Sequence, residues 1–225
     1  HSLGEDFLSL NKAMGGLQKG LTIIAGGSNI GKTASLVSIV QSLLKRHSIH
    51  QKIIYFSFDD DHEIFIKRLI SVHQNCDMDQ VLAYKSASPA TKKLILNGYE
   101  IIGRYMANGT LVFRDMRKVD SFQKMNAVIR ESISNGLPNV VFIDAIFNVE
   151  MNDKFDANRS ENIARAKLLK KIADDFGIPV ITSAEVQKEK QECDIKEPLG
   201  KNAIMESGKF GYNAAYIITA FPIRF

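Results

Sequence analysis

Along this chain, short runs of β-branched and aliphatic residues alternate with longer stretches whose apolar positions recur every three or four residues. The runs have the pattern of strands buried on both faces, and the longer stretches that of amphipathic helices. Strands are predicted at 21–25, 53–58, 110–114, 140–144, 179–183 and 214–220. Helices are predicted at 32–46, 62–73, 89–106, 121–135, 160–176 and 203–211. Within 160–176, Ile163, Ala166, Leu169, Ile172, Ala173 and Phe176 share one face at helical spacing, whereas Arg165, Lys167, Lys170 and Lys171 fall elsewhere. Such a face has to pack on a sheet. The alternation implies an α/β class: one doubly wound domain over residues 1–225, with a mostly parallel central sheet, right-handed crossovers and helices on both faces. Two connections, 145–159 and 186–202, are long, and each leaves the C-terminal end of a strand, the edge where ligands bind in open α/β sheets.

Composition adds exclusions. With 45% hydrophobic and 24% charged residues, the chain has the balance of a globular domain rather than of a disordered or collagen-like one. Its apolar runs are far shorter than the about 20 residues that a membrane helix needs. The opening His1-Ser2-Leu3-Gly4-Glu5-Asp6 lacks the basic-then-apolar order of a signal peptide, and a chain starting with His is expected to be a piece of a longer protein. Cys76 and Cys193 fit neither a disulfide framework nor a zinc spacing, so a cytoplasmic location is expected. The net charge of +4 is a weak steering field for an acidic partner. No close set of histidines suggests a metal site.

The segment Gly26-Gly27-Ser28-Asn29-Ile30-Gly31-Lys32-Thr33 is a complete GxxxxGKT pattern between a predicted strand and a predicted helix. Glycines let the backbone curl so that successive N–H groups face phosphate oxygens, and the helix N-terminus adds positive dipole. In such a loop Lys32 reaches the β- and γ-phosphates and Thr33 ligates magnesium, so ATP or another NTP with Mg2+ is the expected cofactor pair. A magnesium-linked acid is expected at the end of a second buried strand. Asp144, closing Val140-Val141-Phe142-Ile143-Asp144, fits that role, the plainer alternative being a helix-capping Asp. Hydrolysis further needs a group that orients or deprotonates water. The strand at 53–58 runs into Asp59-Asp60-Asp61, which can supply that base or cap the next helix, with different members free to do each.

With these residues in place, the chain resembles the RecA-like motor domain of DnaB-type replicative helicases, including phage primase-helicases. The likeness covers nearly the whole length. The lead-in from Leu8 to Gly20, with Gly15-Gly16-Leu17-Gln18-Lys19-Gly20, is similar to the family's entry turn. Tyr55-Phe56-Ser57-Phe58-Asp59 resembles the strand ending in the family's catalytic Glu. Gly177-Ile178-Pro179-Val180-Ile181 resembles a later strand, and Met205-Glu206-Ser207-Gly208 with Asn213-Ala214-Ala215 resembles the last motif. The resemblance implies a P-loop NTPase coupling hydrolysis to single-stranded DNA translocation and duplex unwinding, as a homo-hexamer in the full-length protein, with a primase domain or partner. It implies catalytic roles for Lys32, Asp59, Glu185 and Glu206.

Three positions depart from the family. Asp59 replaces a Glu, Glu185 a Gln or His that senses the γ-phosphate, and Tyr212 a Gln, which implies weak or slow hydrolysis. The family continues beyond the last strand into a basic hairpin reaching a neighbour's nucleotide, where this chain has only Arg224. Residues 1–225 alone are therefore expected to be monomeric. The resemblance also turns the two long connections towards DNA, through Lys154, Arg159, Lys188, Lys190 and Lys201, although neither connection is net basic, as a single-strand groove usually is. A RecA-fold ATP switch of recombinase or clock-protein kind, working by nucleotide-dependent assembly, is the alternative. A catalytically weak nucleotide-binding domain is the third reading.

Overall fold

Six strands form one sheet, in the order β3-β2-β4-β5-β1-β6, and every neighbouring pair is parallel. They are β1 (Gly20–Gly26), β2 (Ile53–Ser57), β3 (Leu111–Asp115), β4 (Val140–Asp144), β5 (Pro179–Glu185) and β6 (Tyr216–Ala220). The computed structural model describes residues 3, 5–46, 52–116, 122–134, 140–151, 158–186 and 213–220. α1 (Leu8–Met14) precedes β1, and between the strands lie α2 (Lys32–Lys45), α3 (His62–Gln74), α4 (Met78–Leu82), α5 (Pro89–Ala107), α6 (Phe122–Ser134) and α7 (Asn158–Phe176). The RecA-like arrangement of a parallel sheet between helices is thus realised.

The period of two along each strand divides the core. Ile53 and Tyr55 of β2 and Val140 and Phe142 of β4 enter one cluster, with Leu36, Val40, Phe65, Leu69, Ile95 and Ile102 from α2, α3 and α5. Ile54, Phe56, Val141 and Ile143 point to the other face, onto Met125 and Ile129 of α6 and Ala166, Leu169, Ile172 and Ala173 of α7. Both faces being covered, the strands read as continuous apolar runs. On the first face Tyr55 lies between aromatic rings, 4.5 Å from Phe65 and 5.9 Å from Phe142, centroid to centroid.

Boundaries differ from expectation where polar residues disguise structure. β5 continues to Glu185 because its backbone pairs with β1 as far as Gly26. Its Ser183-Ala184-Glu185 end has no apolar signal. The short helices α1 and α4 were not expected; each spans under three turns, too few residues to show a period. α1 closes on Gly15 at φ 67, a left-handed conformation that glycine adopts without a Cβ clash. The helix expected at 203–211 lies outside the described residues.

Candidate nucleotide site

All six strands run the same way, so their C-terminal ends share one edge, and pairing places particular residues side by side there. Ser57 is the register partner of Asp144, Ile24 of Ser183 and Gly26 of Glu185. At this edge opens a cavity of about 860 Å³, lined by Lys32, Thr33, Asp59, Asp144 and Glu185, among others. Five residues named from the sequence as the nucleotide-handling set, spread over more than half the chain, therefore converge.

The loop between β1 and α2 turns through Asn29 (φ 58) and Gly31 (φ 89), both left-handed. A Cβ on Gly26 would lie 2.7 Å from Ile30 Cγ2 and 2.9 Å from the Ala220 carbonyl oxygen, so only glycine fits where the loop leaves the sheet beside β6. α2 begins at Lys32 with no side chain capping its first turn. Its leading N–H groups are thus left for an anion. Lys32 Nζ donates to the carbonyls of Gly27 (2.6 Å) and Gly26 (3.3 Å) and lies 3.9 Å from Glu185 Oε1. The ammonium is held inside the curl of its own loop.

Asp144 is 2% exposed, and each of its oxygens accepts a hydrogen bond from a neutral hydroxyl: Oδ1 from Ser183 at 2.5 Å and Oδ2 from Tyr55 at 3.0 Å. A buried carboxylate is costly unless its charge is matched. This one has two neutral donors, which orient it and leave lone pairs for a cation. Burial, then the negative charge of Asp144, push the Tyr55 phenol well above its ordinary range, so it remains a donor. Thr33 lines the same cavity. The residues present thus fit a magnesium-bound triphosphate.

The acidic triplet after β2 divides its duties. Asp61 is the N-cap of α3, accepting from Ile64 N at 2.8 Å. Asp60 pairs with Arg68, whose Nε lies 2.6 Å from Oδ2. Asp59 faces the cavity, where burial first and then Asp144 and Asp60 raise its carboxyl above the usual range. Its Oδ1 accepts from Asn148 Nδ2 at 2.7 Å.

Several lining residues escaped the sequence reading. Arg68 stands seven positions after Asp61, two helical turns along α3, a spacing that could have revealed it. Arg165, expected among charges turned away from the packed face of α7, lines the cavity instead and bonds to Glu161, Asn162 and the Val149 carbonyl. Nothing local signals Asn148 or Ser183, whose partners Asp59 and Asp144 lie across the fold, nor the Arg165 bond to the Val149 carbonyl, although Glu161 and Asn162 stand four and three positions before Arg165. Lys154, Lys188, Lys190, Lys201, Glu206, Tyr212 and Arg224 lie outside the described residues. Arg159 falls in the first turn of α7, and its side chain is likewise not described. No helix among the described residues is long and apolar enough to cross a membrane.

The chain is similar to several known proteins. Probable replicative DNA helicases of Guillardia theta and Trieres chinensis are each 24% identical, over 97% of this chain in both cases. The chain spans only 36% and 47% of their lengths. Among solved structures, one ATPase domain superposes with a TM-score of 0.84 at 18% identity, over 97% of this chain and 75% of that one. A DnaB-like replicative helicase, described with its interactions with primase, gives 0.83 at 18% identity, over 96% of this chain and 51% of that one. The family model for the DnaB-like helicase C terminal domain matches residues 3–221, nearly the whole chain, and the chain belongs to that family.

Proposed function

We propose that this chain is the motor domain of a replicative DNA helicase, coupling ATP hydrolysis to single-stranded DNA translocation and duplex unwinding within a homo-hexamer. The observation that carries the reading is the convergence of Lys32, Thr33, Asp59 and Asp144 on one cavity, in a chain of this family. On nucleotide binding, Lys32 exchanges the Gly26 and Gly27 carbonyls for β- and γ-phosphate oxygens, and the uncapped N–H groups of α2 face the same phosphates. Thr33 and Asp144 would hold magnesium, which neutralises phosphate charge when bound. Asp59 orients a water and takes its proton as the oxygen bonds to the γ-phosphorus. The bond from that phosphorus to the bridging oxygen breaks, leaving nucleoside diphosphate and inorganic phosphate.

Lys154, Arg159, Lys188, Lys190 and Lys201 are assigned to the DNA path, Glu206 to ordering the site, and primase is a proposed partner, as the interaction described for one structural neighbour suggests. Residues 1–225 are read as one domain. The test is hydrolysis by the full-length protein with and without single-stranded DNA, together with unwinding of a forked duplex. DNA-stimulated hydrolysis with strand separation, both lost in Asp59→Asn, is the expected result. Nucleotide-dependent assembly without unwinding would select the switch reading. One observation favours slow turnover: Glu185 puts a carboxylate 3.9 Å from Lys32, where a γ-phosphate sensor would donate a hydrogen bond.

A further inference from the structure

β4 ends in a short 3-10 turn, Ile146–Asn148, and the Asn148 amide Nδ2 reaches across to donate to Asp59 Oδ1 at 2.7 Å. The turn is pinned on both sides. Ile146 and Val149 are buried in the core under α7, at 0% and 1% exposure. The Val149 carbonyl accepts from Arg165 Nε at 2.7 Å. That guanidinium is fixed in turn by its other nitrogens, to Asn162 Oδ1 at 2.6 Å and Glu161 Oε1 at 2.7 Å, and its side chain is only 12% exposed. A chain of hydrogen bonds therefore runs from α7, through the turn after β4, to the end of β2.

The Asn148–Asp59 bond is solvent-accessible, so its contribution to folding stability is small. Its consequence is directional. Asp59 has two rotatable side-chain bonds, and the carboxylates of Asp144, Asp60 and Glu185 all repel its charge. Among the cations that line the cavity, Lys32 is held by its own loop, Arg68 by Asp60 and Arg165 by Glu161. Asn148 supplies the donor that holds the Asp59 carboxylate inside this ring of like charge. With Oδ1 engaged, Oδ2 remains to meet a water, which has to lie within about 2.6–3.2 Å of its base.

We propose that Asn148 is a positioning residue for hydrolysis: its amide grips Asp59 Oδ1 so that Oδ2 faces the attacking water, and Arg165 holds the Asn148 turn in place through Val149. This rests on the assignment of Asp59 as the water-orienting acid. The test uses the full-length protein with Mg-ATP and saturating single-stranded DNA. Asn148→Leu lowers kcat by about tenfold while KM for ATP stays within about twofold, because the contact acts on the reacting water and not on nucleotide binding. Arg165→Leu gives a smaller fall of the same kind. Should that variant fold poorly by circular dichroism, the exposed Asn148 substitution carries the test alone. An unchanged kcat in Asn148→Leu beside an inactive Asp59→Asn overturns this proposal and spares the Asp59 assignment, as does a fall in kcat matched by an equal rise in KM for ATP. An Asp59→Asn protein hydrolysing at the parental rate overturns the Asp59 assignment itself, and this proposal with it.

Discussion

Three consecutive aspartates with one chemistry acquire three surroundings, and the surroundings separate their roles. Asp61 meets the N–H groups of α3, Asp60 meets a guanidinium, and Asp59 meets other carboxylates. Asp59 has a pH signature. Burial and its negative neighbours disfavour the ionised form, raising its pKa, and a base must be ionised to take a proton from water. Hydrolysis is therefore expected to fall as pH drops through a value above the ordinary carboxylate range of about 4. A kcat profile measured on the full-length protein, with its acid limb at or below that range, would contradict the assignment.

At the scale of elements, α3 binds two functions together: its start is capped by Asp61, two residues after the cavity acid Asp59, and Arg68 on its second turn pairs with Asp60. Asp61→Ala removes the cap and should cost about 1 kcal/mol in urea unfolding, whereas an unchanged midpoint would leave the cap without energetic weight. The far end of α3 packs on α2 through His73 Nδ1, which accepts from Gln41 Nε2 at 2.5 Å. Burial, and then the charge of Lys45, lower the His73 pKa in the folded protein. A lowered folded pKa means that the unfolded chain takes up the proton first as pH falls. The contribution of His73 to stability is therefore complete above about pH 6.5 and is lost as pH drops from there towards the folded value. Unfolding curves of the parent and His73→Gln between pH 7.5 and 5, values chosen to bracket about 6.5, should converge as pH falls; parallel curves would remove His73 from the pH response.

For the whole molecule, the parallel sheet is both core and instrument: alternation buries its two faces, and the shared strand direction gathers the C-terminal ends along the edge where the cavity opens. Nucleotide bound there favours the folded state by mass action, by about 2.7 kcal/mol at a free concentration one hundred times Kd. The unfolding temperature with Mg-ATP should rise by several degrees in the parent and far less in Lys32→Ala, whose fold should stay intact because Lys32 bonds to its own loop and to the exposed end of Glu185. An equal rise in both proteins would mean that the Gly26–Thr33 loop is not where nucleotide binds.

The periodicities alone determined most of this architecture: β4 falls at 140–144 as read, α2 and α3 begin where expected, and the GxxxxGKT pattern located its loop, because strand burial and loop chemistry are written in adjacent residues. Asp144 could be named because a buried apolar run ending in a carboxylate is itself a local pattern. The polar end of β5, the placing of Asp59 at the cavity, the Asn148 contact and the Arg165 bond to Val149 were decided only by the tertiary structure. Each depends on a partner in another element: β1 for β5, Asn148 for Asp59, 89 residues away in the chain, and Val149 for Arg165. No hydrophobic period reports such pairings, because hydrogen-bond partners of this kind are set by where strands end in space and not by what lies beside them in sequence.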